Sequence, residues 1–290
     1  MIQTLHNRDI DKNRWDNLVH GSSNPFVYAL SYYLDCTCPD WEGLILNDYE
    51  AVFPLPVKKK FFLSYLVQPI LSQQYDIYSC RNLSENEVSL FRSKITQYVS
   101  IRLCLSKPLF DGAIQRHNYC LNLEKPYEEL SAAYTENTKR NIKKAQGHSL
   151  ICSKAENKDA CLDCFFSLDK RNLYVPYRNQ IKSLVRQSEI EAYMVKGNGE
   201  VLSVALFFKT VDRLYYMLPI STEVGKQTSA MFMLLDFVIR KYAGTKFVVD
   251  FEGSELPGVR RFYEGFGALN VPYYYYEHHS LPLIGKIVKK

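Results

Sequence analysis

Tyr263, Asp250, Glu252, Arg260 and Arg261 all fall in the single stretch from Asp250 to Ala268, close enough to share one site. An apolar run, Phe247 to Val249, ends in Asp250 and Glu252; the chain turns at Gly253, a helix restarts near Pro257, and Gly265 and Gly267 stop it. Proline suits the first helical turn because its missing N–H is an orphan there, and glycine accepts the left-handed backbone that ends a helix. A phenol on that helix can donate a proton to a leaving group. The same ring can equally be a core aromatic in a chain with 22 tyrosines. Asp250 and Glu252 stand two residues apart, which puts both on one side of a regular strand. One can be a general base toward an amine, or both can pair with Arg260 and Arg261.

Two more constellations carry charge or backbone donors. The loop Ser221 to Ala230 precedes a helix whose apolar face is Met231, Leu234, Leu235, Val238, Ile239 and Tyr242. Gly225, Lys226, Thr228, Ser229 and Ala230 can form a phosphate site at that N-terminus, or Thr228 or Ser229 can simply cap the helix. Lys139 and Lys143 lie one turn apart, as do Arg140 and Lys144, giving a broad basic face for an anionic substrate or a solvated face balanced by Glu128, Glu129 and Glu136. Thr135 or Asn137 caps that helix. Tyr215 and Tyr216, with Gln68, Gln73 and Gln74 from the first half, are candidates to line an acceptor cleft.

The elements that must position these residues run in the same order twice. In the first half, helices at 9–22 and 28–34 precede strands at 41–46, 50–57 and 61–67, a helix at 85–99 opened by Ser84, and a strand at 101–105. In the second, a helix at 126–146, a strand at 148–154 and helices at 157–171 and 178–188 lead to a hairpin from Glu191 to Lys209, turned at Gly197-Asn198-Gly199. A strand at 213–218, a helix at 228–242 and a parallel return strand at 247–251 follow. Tyr273 to Tyr276 reads as a last strand. The expected class is α/β with two domains, 1–125 and 126–290.

With 290 residues, 47% of them hydrophobic, the chain can build two cores. A net charge of +5 is well short of the dense basic footprint of a dedicated nucleic-acid binder. Eight cysteines without a basic, apolar leader ahead of them point to a reducing cytoplasm. Cys161-x-x-Cys164 has no second pair and no histidine pair, so buried thiols and no metal are expected. The longest apolar stretch, near Phe61 to Leu71, is broken by Ser64, Gln68 and Pro69 and falls short of the about 20 residues that span a bilayer.

The segment RRFYEGFGA, Arg260 to Ala268, resembles the strand–helix–strand end of the GNAT acyltransferases, with Tyr263 at the position of their helix tyrosine. DFEG at Asp250 and NTKRNIKKA at Asn137 resemble the Fem-type peptidoglycan transferases, which fuse two GNAT folds in one chain. The resemblance implies two tandem GNAT-like domains, each a mixed, mostly antiparallel sheet flanked by helices. It also implies acyl or aminoacyl transfer to a small-molecule or peptide amine, with Tyr263 as proton donor and acyl-CoA or aminoacyl-tRNA as donor substrate. Of the GNAT phosphate-loop pattern, placed on Gly225, Thr228 and Ala230, only Ala230 fits. Fem-type proteins take the aminoacyl group from tRNA and do not need that loop. The alternative is a tandem scaffold without turnover that holds a nucleotide-like or cell-wall ligand or a protein partner.

Overall fold

The computed structural model describes residues 1–280. The first part of the chain runs β1 (Ile2–His6), α1 (Lys12–Gly21), α2 (Ser31–Thr37), β2 (Glu42–Leu46), β3 (Ala51–Leu55), β4 (Val57–Lys60), β5 (Leu63–Val67), α3 (Glu85–Ile95), β6 (Ser100–Leu105) and β7 (Ile114–Arg116). There follow β8 (Tyr119–Asn122), α4 (Tyr127–Ala132), α5 (Glu136–Gly147), β9 (Ile151–Lys154), α6 (Lys158–Leu168), α7 (Arg178–Gln187), β10 (Ile190–Gly197), β11 (Glu200–Lys209) and β12 (Arg213–Ser221). The chain closes with α8 (Glu223–Gln227), α9 (Ala230–Tyr242), β13 (Val248–Asp250), α10 (Pro257–Glu264), β14 (Leu269–Asn270) and β15 (Tyr273–His279).

These elements form two compact units. One is Met1–Arg116 together with the chain from Pro272; the other is His117–Val271. The final tyrosine strand is indeed a strand, but β15 pairs with β6 and β7 of the first unit, a long-range return that local pattern cannot announce. The single helix expected at 126–146 is two, α4 and α5, parted where Tyr134 turns inward and Thr135 caps the second by accepting the Thr138 N–H.

The first unit holds two sheets, in the orders β1-β2-β3 and β4-β5-β6-β15-β7. Pro56, which has no N–H to donate to a ladder, is the one residue between β3 and β4. Trp15 and Trp41 meet in its core at 4.9 Å with their rings tilted by 59°, and both indole N–H groups are satisfied, by the Ala29 carbonyl at 2.7 Å and by Asp35 at 2.9 Å. The capping box at the head of α3, Ser84 with Glu87, fixes where that helix starts.

The second unit is one seven-stranded sheet ordered β14-β8-β13-β12-β11-β10-β9. Its hairpin turns at Asn198 and Gly199, both at positive φ, as an Asn-Gly pair allows. Helix α9 lays Leu234, Leu235, Val238 and Ile239 on the sheet, all buried, as its 3.6-residue apolar spacing requires. Each such side chain contributes about 1.5–3 kcal/mol by leaving water. In each unit every named strand pairing is antiparallel except one, β5 with β6 and β12 with β13. Among the described residues no helix is long and apolar enough to cross a membrane.

Candidate functional site

The parallel ladder between β12 and β13 runs only from Arg213–Val248 to Tyr215–Asp250. Strand β12 continues to Ser221 and stays paired with β11, but its register shifts between Leu206 and Phe207, so Met217 is an extra residue in a bulge. Strand β13 stops because Glu252 and Gly253 both turn to positive φ, 63° and 62°. A Cβ on Gly253 would sit 2.1 Å from the His117 carbonyl oxygen, so the turn tolerates nothing larger. Phe251 meanwhile donates its N–H to Tyr119 of β8. The two strands therefore part at Tyr215 and Asp250, beside a bulge.

Asp250 is the anchor of that parting. It is fully buried, accepts from the Arg213 guanidinium at 2.6 Å, from the Asn118 amide at 3.0 Å and from the Glu252 N–H at 3.1 Å. A carboxylate so enclosed is held in a buried ion pair, with its oxygens occupied by three donors. Its partner is Arg213 of the neighbouring strand, whereas Arg260 and Arg261 make no ion pair among the described residues. The expected common face of Asp250 and Glu252 also fails, because the left-handed backbone at Glu252 ends strand alternation. Glu252 is left half-buried on the turn.

Tyr263 sits on α10, with its ring stacked on Phe251 at 4.7 Å and set against Tyr216 and Tyr119, each at 6.2 Å. The residue is 7% exposed, and its hydroxyl makes no hydrogen bond among the described residues. Burial, and next the nearby Glu252 carboxylate, push the phenol well above its ordinary value. Like any phenol it is uncharged at neutral pH and can donate a hydrogen bond. Tyr216 is a wall of this aromatic floor, and its neighbour Tyr215 is fully buried near the Arg213 guanidinium.

The phosphate-loop candidates have other occupations. Gly225 N–H donates to Thr222 Oγ1 at 2.9 Å, Lys226 N–H to the Thr222 carbonyl at 2.9 Å, Thr228 N–H to Val224 at 2.9 Å and Ser229 N–H to Lys226 at 3.2 Å. These four N–H groups are thus used within α8, which Thr222 caps. Gly225 is glycine because a Cβ would lie 2.3 Å from the Leu202 carbonyl oxygen of β11. Lys226 pairs with Glu223 at 2.6 Å, and the Thr228 hydroxyl bonds back to Val224 at 2.8 Å. Ser229, left-handed at φ 60°, gives its hydroxyl to Asn141 at 2.7 Å instead of capping α9, and Ala230 is buried at the start of that helix.

The basic helix face survives in part. Lys139, Arg140, Lys143 and Lys144 are all exposed on α5, but only Lys139 and Lys143 line a shallow groove of 600 Å³ shared with Tyr127, Tyr134 and Gln146. The Tyr134 hydroxyl is buried there without a hydrogen bond, and its ring meets Phe266 at 5.2 Å, at the end of α10. Lys139 touches Glu136 at 3.2 Å; Lys143 and Lys144 make no ion pair among the described residues. The groove is thus continuous in packing with the helix that carries Tyr263.

Sequence reasoning missed Arg213, Asn118, Tyr119 and Glu264. The first two hold Asp250, and the Tyr119 hydroxyl donates to Glu264 at 2.8 Å beside Tyr263. No local signal marks them, since each partner lies on a distant strand or helix. The eight cysteines carry no disulfide, Cys161 is buried with its thiol pushed up to about 12 by desolvation, and no metal-ligating cluster occurs among the described residues.

Comparison of folds agrees with this topology. The chain superposes on FemX with a TM-score of 0.68 at 13% identity, covering 98% of this chain and 99% of that one. In fold, it is a tandem GNAT-like protein that resembles the Fem-type enzymes. A tandem GNAT protein from the clavulanic acid biosynthesis pathway matches with a TM-score of 0.56 at 10% identity over 97% of this chain and 99% of that one. L-PGS from Bacillus licheniformis matches with a TM-score of 0.54 at 10% identity over 96% of each chain. No family model and no curated protein matches the sequence.

Proposed function

We propose that the second unit transfers an acyl or aminoacyl group to an amine acceptor, a small molecule or a peptide. The observation that carries this reading is the placement of Tyr263, an unbonded, protonated phenol, where β12 and β13 part beside a bulge. In the reaction the amine nitrogen attacks the donor carbonyl carbon, forming C–N, and its proton passes to Glu252 or water. A backbone N–H of the bulged stretch of β12 stabilises the oxyanion, and Tyr263 protonates the leaving oxygen as the ester C–O bond breaks.

The donor that fits is an aminoacyl-tRNA rather than acyl-CoA. The backbone N–H groups of Gly225, Lys226, Thr228 and Ser229 are spent within α8, which leaves a pyrophosphate fewer donors ahead of α9. The groove beside Lys139 and Lys143 offers cations to a phosphate backbone instead. Fem-type proteins, which the chain resembles, use that donor.

The same filled loop favours a second reading, a tandem scaffold that binds without turnover. Incubating the protein with charged tRNA or acetyl-CoA and a panel of amines separates the two. Product from charged tRNA, lost in Tyr263→Phe while tRNA affinity stays the same, is the expected result. Binding of tRNA with no product from any donor would establish the scaffold.

A further inference from the structure

The turn that joins β4 to β5 breaks the usual rule for its type. Pairing of Lys60 with Leu63 leaves Phe61-Phe62 as a two-residue loop, a position that favours glycine or asparagine because φ must turn positive. Phe61 nevertheless adopts φ 55°, a strained conformation for a bulky residue. Packing gives nothing back, since Phe61 is 83% exposed and Phe62 103%. A locally unfavourable choice with no structural return is where function is to be sought.

Lysines cluster around the hairpin, although Asp40 lies close enough to Lys58 for both to act on the Cys38 thiol. Lys58 and Lys59 are exposed on β4, Lys60 follows them, and Lys94 of α3 lines a groove of 430 Å³ with Phe62, Leu63 and Tyr98. Lys58, Lys59 and Lys94 make no ion pair among the described residues. A further acid, Glu42, accepts the Tyr98 hydroxyl at 2.9 Å.

We propose that this hairpin docks the chain on an anionic lipid bilayer, with Phe61 and Phe62 entering the headgroup–acyl boundary and Lys58, Lys59, Lys60 and Lys94 resting on acidic headgroups. Apolar side chains gain by leaving water at that depth, and each lysine near such a surface adds about fivefold in affinity. Single-stranded RNA fits less well, because bases stack on aromatics set along a backbone-tracking groove, whereas these rings stand on a turn. The inference is independent of the transfer reading.

The test is co-sedimentation of the full chain with vesicles of phosphatidylcholine alone or mixed equally with phosphatidylglycerol. The chain is expected to pellet with the mixed vesicles, weakly with the neutral ones, and less as salt rises. Phe61→Ser with Phe62→Ser should lower binding about tenfold, and Lys58→Glu with Lys59→Glu about 25-fold or more. Phe61→Gly should raise the melting temperature while weakening vesicle binding, which separates docking from misfolding. Failure to pellet with the mixed vesicles, or equal binding by the native chain and either double variant, overturns the proposal. So does a pair of double variants that lose affinity for an oligouridylate, or lose self-association, while vesicle binding stays intact.

Discussion

Each unit contains one parallel strand pair joined through a helix, and the two pairs end in opposite ways. In the first unit, β5 and β6 pair at Leu66–Ile101 and Val67–Arg102, and the edge of β6 is then covered. Gln68 donates its backbone N–H to Arg102 at 2.9 Å, its side-chain oxygen accepts the Cys104 N–H at 3.0 Å, and its amide nitrogen holds Ser72 at 3.2 Å. Tyr75 returns to complete the seam, donating to Cys104 and accepting from Ser106, both at 2.9 Å. In the second unit the ladder between β12 and β13 stops at Asp250, and Phe251 turns to β8 instead. The same scaffold is sealed in one copy and parted in the other, and that difference is what the proposed transfer in the second unit rests on. Of the glutamines that sequence suggested for an acceptor surface, Gln68 is the sealant, whereas Gln74 bonds to Gln73.

Tyr263→Phe should strike this contrast hardest. Removing the proton donor is expected to cut single-turnover transfer about 10²- to 10⁴-fold with the fold intact. A variant that transfers at the native rate would dissolve the assignment of chemistry to the parted strands.

Asp250→Ala tests what holds the parting in place. It leaves the Arg213 guanidinium and the Asn118 amide without their acceptor, at a cost of about 3–5 kcal/mol in urea unfolding. Should the variant unfold like the native chain yet lose turnover, Asp250 would be a reactant and the structural account of it would be wrong.

Gln68→Ala asks the matching question of the sealed unit. It strips the part-buried Cys104 N–H of its acceptor, which costs about 1 kcal/mol. Transfer by the folded protein should be unchanged. A loss of turnover equal to that of Tyr263→Phe would give the first unit a direct part in the reaction.

What the sequence made legible follows the range of each interaction. The Asn198-Gly199 turn, the Ser84 cap and the apolar stripe of α9 are local signals; the turn and the start of α3 fall where expected, whereas α3 ends at Ile95, short of 99, and α9 starts at Ala230. The turn at Glu252 was hidden because a glutamate at positive φ has no signature and owes its conformation to Asp250 and to Gly253 against His117. The Arg213–Asp250 pair was hidden because it depends on which strand lies beside β13, a fact of topology. Tyr263 was legible as a position, through resemblance. Its aromatic floor came from β8, β12 and the end of β13, which no spacing within α10 reveals.

The smallest effect concerns the other end of the second sheet, where charge does the holding that Asp250 does at the mouth. Burial raises Glu191, but hydrogen bonds from Lys154 at 2.8 Å, Tyr193 at 2.8 Å and Lys241 at 3.0 Å outweigh it and bring the carboxyl down to about 2. This cluster ties β9, β10 and α9 together. A carboxylate whose folded value lies below its unfolded 4.5 contributes stability that is present above that pH and fades as pH falls toward about 2. Urea stability of the native chain should therefore decline across that window, and Glu191→Gln, already without the charge, should decline less. Parallel curves for the two proteins would assign the acid sensitivity elsewhere and leave the parted mouth, not the charged rear edge, as the place where the sheet first yields.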